Sequence, residues 1–161
     1  MSIFGDMLRR LVDMADGSRR PTADRYQLGR AAAGSILLRG NGNYDFEVVG
    51  EAQCQASLEE ICGGRDEDGV DYQCVAVIVN DDGNAYDKNA VAVFVDGKRV
   101  GFLTRQVAPE FRRQVLRINP SSASVGCRAV IRGGWDRGDG DIGNFGVWLD
   151  VLQPLEIEAR Q

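Results

Sequence analysis

Two groups of residues in this sequence have types and spacings that could do chemistry. The first is Tyr86-Asp87-Lys88, inside the run Asn-Ala-Tyr-Asp-Lys-Asn-Ala at 84–90. An exposed aromatic ring can stack on another flat ring, a carboxylate can accept a hydrogen bond from a hydroxyl, and an ammonium can hold an anion. The second is a pair of acidic, glycine-rich loops, with Asp66, Glu67, Asp68 and Asp71 in one and Asp136, Asp139 and Asp141 in the other. Neither has the spaced carboxylates and distant glutamate of an EF-hand loop. Glycine-rich loops also hold ligands poorly in fixed geometry, which argues against a metal-dependent nuclease. No metal site is expected.

The residues that are missing narrow the chemistry further. The 161-residue chain has no histidine, so Ser-His and Cys-His nucleophile pairs are excluded. Any general base would have to be Asp, Glu, Lys, Tyr or Cys. Cys54, Cys62, Cys74 and Cys127 form no CxxC pair and read as small buried thiols of a reducing cytosol. The expectation is a non-catalytic cytoplasmic protein without a cofactor. No apolar run reaches the ~18 residues of a membrane span, and Asp6, Arg9 and Arg10 interrupt the first apolar stretch, unlike a signal peptide.

Charge is unevenly spread. The net charge is −5, yet residues 31–96 carry three basic and thirteen acidic groups. Between Lys98 and Arg132, eight basic groups face Glu110 alone. Such a stretch is either an ordinary solvated surface or, if the groups share one face, an anion-binding one.

The elements that must position these residues follow from hydrophobic periodicity. Ile3, Phe4, Met7, Leu8, Leu11, Val12, Met14 and Ala15 form one face of an amphipathic helix over 1–17, with Gly17 as its stop. That helix either docks on its own domain or serves dimerisation or partner binding. Residues 18–43 are polar and breaker-containing and read as a linker or extension. From 44 the pattern is dense. It predicts a strand over Tyr-Asp-Phe-Glu-Val-Val-Gly-Glu and a short helix over Ser57–Gly63, with Ser57 as N-cap and Gly63 as C-cap. A central strand follows from Tyr72, then a hairpin turning at Asp96-Gly97. A helix comes next, with Pro109 in its first turn and Val107, Phe111, Val115 and Ile118 as its stripe. Two last strands flank the loop at 136–143. Short strands with two helices indicate a mainly β (α+β) fold, a small closed barrel. One domain is the default for this length. Its core spans 44–152, and 153–161 form a C-terminal tail.

The Tyr-Asp-Lys-Asn-Ala turn resembles the HIRAN domain family, together with the hydrophobic strand after it and the basic-Val-Gly-Phe-Leu segment. Phe-Glu-Val-Val-Gly-Glu upstream and Cys127–Val151 downstream are also similar to bacterial members. The resemblance covers roughly 44–152 and implies an OB-like or SH3-like β-barrel with two flanking helices. It implies a module that binds single-stranded DNA and captures its 3′-hydroxyl end at damaged or stalled DNA, alongside helicase or nuclease partners. By motif position it makes Tyr86 the base-stacking ring, Asp87 the acceptor for the terminal hydroxyl and Arg105 a phosphate contact. Phe145 aligns loosely with a second stacking aromatic. Lys88, Lys98, Arg99 and Phe102 complete the expected DNA-binding set. The chain departs from the pattern after Val-Val-Gly. Relatives carry an Arg-aromatic pair there, whereas this chain has Glu51, Ala52, Gln53 and Cys54. Two alternatives stand beside this reading. Tyr86 could cap the barrel while Asp87 bonds the amides of Asn89 and Ala90 as a turn former. The chain could also be a protein-interaction adaptor, with the barrel as scaffold and the N-terminal helix as contact element.

Overall fold

The computed structural model describes residues 36–120 and 124–158. The expected helix over 1–17 lies outside them. Six strands form one antiparallel sheet: β1 (Phe46–Glu47), β2 (Val70–Asn80), β3 (Val91–Val95), β4 (Lys98–Phe102), β5 (Ser124–Gly133) and β6 (Phe145–Asp150). Their order across the sheet is β1-β6-β5-β2-β3-β4. The sheet curls until its two edges meet. Val49, just past β1, and Phe102, at the end of β4, exchange backbone hydrogen bonds of 2.8 Å in both directions. The edges meet at this one bridge, so the sheet is a curled half-barrel and not the fully closed barrel expected from sequence. Close approach at the seam needs Gly101, where a Cβ would fall 2.5 Å from Val49 O and from Val48 Cγ1.

β2 is an eleven-residue run that the other strands wrap. Tyr72, Cys74, Ala76 and Ile78 point into the interior cluster beside Val91, Val93, Val100, Cys127, Ile131 and Leu149. Alternation with period two places them on one face. The hairpin turn is at Asp96-Gly97, both in the left-handed region (φ 50 and 76), as the twist of a two-residue turn requires.

Helices plug the two mouths of the curled sheet. α1 (Gln55–Cys62) sends Leu58 and Ile61 inward. It sits at the end where β2, β4 and β6 begin, because Gln55 bonds the backbone of Phe145 and Glu60 pairs with Lys98. α2 (Ala108–Ile118) closes the other end with Phe111 and Val115, the Phe111 ring 6.3 Å from that of Phe46. Pro109 stands in its first turn as expected. No described helix is long and apolar enough to cross a membrane.

Three local expectations change. Ser57 is not an N-cap, because a 3-10 turn over Glu51–Cys54 runs straight into α1 and Ser57 lies inside its first turn. Gly63 does cap the other end, at φ 77. The boundaries at 44 and 152 also move outward. Leu37 bridges Gly126 of β5, and Leu38 bridges Ile157, so 36–39 and 156–158 pair with each other against the sheet. Asp150 helps to anchor this addition. Its buried carboxylate accepts the N–H groups of Asn41 and Gly42.

Candidate nucleic-acid interface at the α2 end

The loop at 81–90 joins β2 to β3 at the mouth closed by α2, and its own polar residues build it. Asn84 Oδ1 accepts the N–H groups of Tyr86 and Asp87 at 2.9 and 3.0 Å. Asp87 Oδ1 accepts the N–H of Asn89, and Asp87 O accepts that of Ala90. Asn and Asp favour turns because their short side chains bond the backbone two or three residues on. Asp87 is therefore a turn former, as one of the two alternatives had it. Its Oδ2 has no hydrogen-bond partner among the described residues.

Arg112 of α2 clamps the same loop from outside. Its guanidinium donates to Asn89 O (3.0 Å), Ala90 O (2.7 Å) and Asp82 Oδ1 (2.8 Å). A planar fork can satisfy three acceptors at once, which an ammonium cannot do with the same geometry. The sequence places Arg112 only within the basic stretch between Lys98 and Arg132, with no role of its own. The available signal was its place one residue after Phe111, which puts it beside the stripe at the edge of the buried face.

On this scaffold the Tyr86 side chain projects outward with 90% of its surface exposed. It does not cap the barrel. Register brings the loop exit near the turn after β4, since Leu103 N bonds Val91 O. Arg105 lies two residues further on, exposed and without an ion-pair partner among the described residues. Lys88 on the loop and Arg117 on α2 are likewise exposed and unpaired among the described residues, whereas Arg113 pairs with Glu110. The acidic neighbour Asp82 is held by Arg112.

The eight expected site residues separate into three places. Tyr86, Asp87, Lys88 and Arg105 gather at the α2 end. Arg99 and Phe102 lie on the outward side of β4, with the Arg99 guanidinium 5.0 Å above the Phe102 ring. This ring is also the nearest atom group to Gly50, 3.5 Å from where a Cβ would stand. An Arg-aromatic pair thus does lie next to Val-Val-Gly, supplied across the seam by β4. Lys98 and Phe145 are at the opposite, α1 end. Lys98 is bound to Glu60 at 3.2 Å. Phe145 is 1% exposed and covered by the Arg65 guanidinium at 4.9 Å, so its ring presents no face to a base. The Phe145 ring turns into the interior cluster instead, in the space that Gly134, having no side chain, leaves for it.

Fold and rim together define a small, helix-plugged, curled half-barrel that presents one exposed aromatic on a braced loop near the basic Lys88 and Arg105. Compared with known proteins, the chain matches no family model, no curated protein and no solved structure.

Proposed function

We propose that this protein is a non-catalytic module that binds the end of single-stranded nucleic acid at its α2 mouth. The observation that carries the reading is Tyr86, whose ring is almost fully exposed on a loop held by Asn84, Asp87 and Arg112. Exposing a tyrosine ring has a hydrophobic cost, and bracing its backbone suits a ring kept ready for a partner. A nucleobase stacked on it contributes ~1–3 kcal/mol with little preference for sequence.

The remaining groups fit a strand end. Asp87 keeps one carboxylate oxygen for a hydroxyl donor, which a terminal 3′-hydroxyl has and an internal phosphodiester lacks. Lys88 and Arg105 supply cations for the preceding phosphates, and the resulting affinity falls as salt rises. The resemblance of the Tyr-Asp-Lys-Asn-Ala turn to HIRAN domains supports the same reading, with DNA as the strand.

Fluorescence anisotropy with a short single-stranded oligonucleotide tests it. A free 3′-hydroxyl should bind at micromolar or tighter concentration, and a 3′-phosphate should weaken binding at least fivefold. Equal binding of both oligonucleotides would discard the end-reading mechanism. No binding of either in low salt would discard the nucleic-acid reading and leave the protein-adaptor alternative.

A further inference from the structure

Ala92 makes a dip in the sheet at the foot of the 81–90 loop. It stands opposite Val79 of β2, and Phe94 follows it on the same side of β3. A side chain that ends at Cβ between two larger ones leaves a gap. The gap is a cavity of about 150 Å³, lined by Val79, Asn80, Asp81, Ala92, Phe94 and Arg99. That volume suits one flat ring and falls well short of the roughly 300 Å³ at which pockets for larger ligands begin.

Its charged groups stand at opposite corners. Asp81 N bonds Ala90 O, just before Ala92 on β3, whereas Arg99 of β4 pairs with Phe94, just after it. The Asp81 carboxylate only accepts hydrogen bonds. Its Oδ2 takes the Nδ2 of Asn84 at 3.1 Å, which fixes the group, and lone pairs remain on both oxygens. The Arg99 guanidinium only donates. It rests 5.0 Å over the Phe102 ring and has no ion-pair or hydrogen-bond partner among the described residues.

Among the nucleobases, guanine offers both halves of this pattern. Its N1–H and N2 amino group donate to a carboxylate, and its O6 and N7 accept from a guanidinium. Adenine and cytosine present a carboxylate with one amino group, and thymine with one imide N–H. Asn84 also joins the cavity to the strand-end site, since its Oδ1 holds the N–H of Tyr86 while its Nδ2 holds Asp81.

We infer that the cavity receives one guanine base of the strand whose end stacks on Tyr86, with Asp81 on its N1–H and amino edge and Arg99 on O6 and N7. The inference rests on the strand-binding reading. It adds a base preference to a site whose stacking and phosphate contacts have little of their own. A free guanine nucleotide shares this chemistry, and two titrations separate the sources.

In the first, the 15N-labelled full chain is titrated with the 5′-monophosphates of guanosine, adenosine, cytidine and uridine. The guanosine nucleotide should shift the amides of residues 79–81, 92–94 and 99 at a lower concentration than the other three. In the second, anisotropy follows short thymidine oligonucleotides with guanine or adenine placed in turn at each position before a free 3′ end. Guanine at one position should bind ~10-fold tighter than adenine there. Asp81→Asn, which puts a donor where guanine needs an acceptor, should erase that preference. Ala92→Leu, which fills the cavity, should erase it too while keeping the discrimination against a 3′-phosphate. Strands bound without base preference, or a preference that survives in both variants, would overturn the pocket and leave the end-binding reading standing. A response to guanosine monophosphate without strand binding would overturn the strand and assign the cavity to a free nucleotide. No response in either titration would overturn both readings.

Discussion

Tyr86 and Asp87 show how two adjacent residues divide their work. Asp87 ties down the backbone of Asn89 and Ala90, and Tyr86 is left to project from the turn so formed. Because its ring packs on nothing, Tyr86→Ala should leave the urea midpoint of unfolding within ~0.5 kcal/mol of the parent. Oligonucleotide affinity should drop ~5- to 100-fold, the equivalent of one lost stacking contact. A large stability loss with unchanged affinity would show that the ring is structural. At this scale the sequence was legible where side chains act locally: Asn84, Asp87 and Gly97 make the turns their types predict. It was not legible for Phe145, because an aromatic after a glycine loop looks the same whether its ring turns inward or outward.

At the scale of elements, the 81–90 loop is held chiefly by α2. The three guanidinium bonds from Arg112 join segments more than twenty residues apart. Arg112→Lys keeps the charge but loses the fork. It should raise amide hydrogen exchange of residues 86–90 at least tenfold and leave β6 unchanged. It should also lower stability by ~1–2 kcal/mol, the usual worth of lost hydrogen bonds to a charged group. Exchange rates equal to the parent's would show that the loop braces itself. The 3.6-residue stripe and Pro109 placed α2 from sequence, and the Asp-Gly pair placed the hairpin. The first strand was read too long. Its pattern runs from Tyr44 to Glu51, but only Phe46–Glu47 form a ladder with β6, and Val49 leaves that ladder to close the seam with Phe102.

At the scale of the molecule, the described residues form a curled sheet stoppered at both ends, and its interior holds a titratable group that couples it to pH. Burial, reinforced by the nearby Asp150 carboxylate, pushes the Cys127 thiol far above its ordinary value of 9.0, while Arg128 opposes the rise only in part. The folded protein therefore keeps this proton at a pH where the unfolded chain releases it. Stability is fully present below pH 9 and is lost above it, by ~1.4 kcal/mol per pH unit from this one group. Urea unfolding at pH 8, 9.5 and 10.5 should show the decline, and Cys127→Ala should flatten its slope whatever that substitution does to absolute stability. Equal slopes in both proteins would assign the decline to other groups. By itself, the amino-acid sequence determined most of the local pieces over 44–152: the central strand, the hairpin and its turn, the two described helices, the lack of histidine, and one polar turn that carries a ring beside a carboxylate. These depend on periodicity and on side chains that bond their own neighbours. Tertiary structure alone decided which pieces share a place. It gathered Tyr86, Asp87, Lys88 and Arg105 at one mouth and sent Lys98 and Phe145 to the other, and it set Arg99 over Phe102 beside Gly50. The physical reason is that strand order, seam closure and helix docking are set by long-range packing and register, which no local pattern encodes.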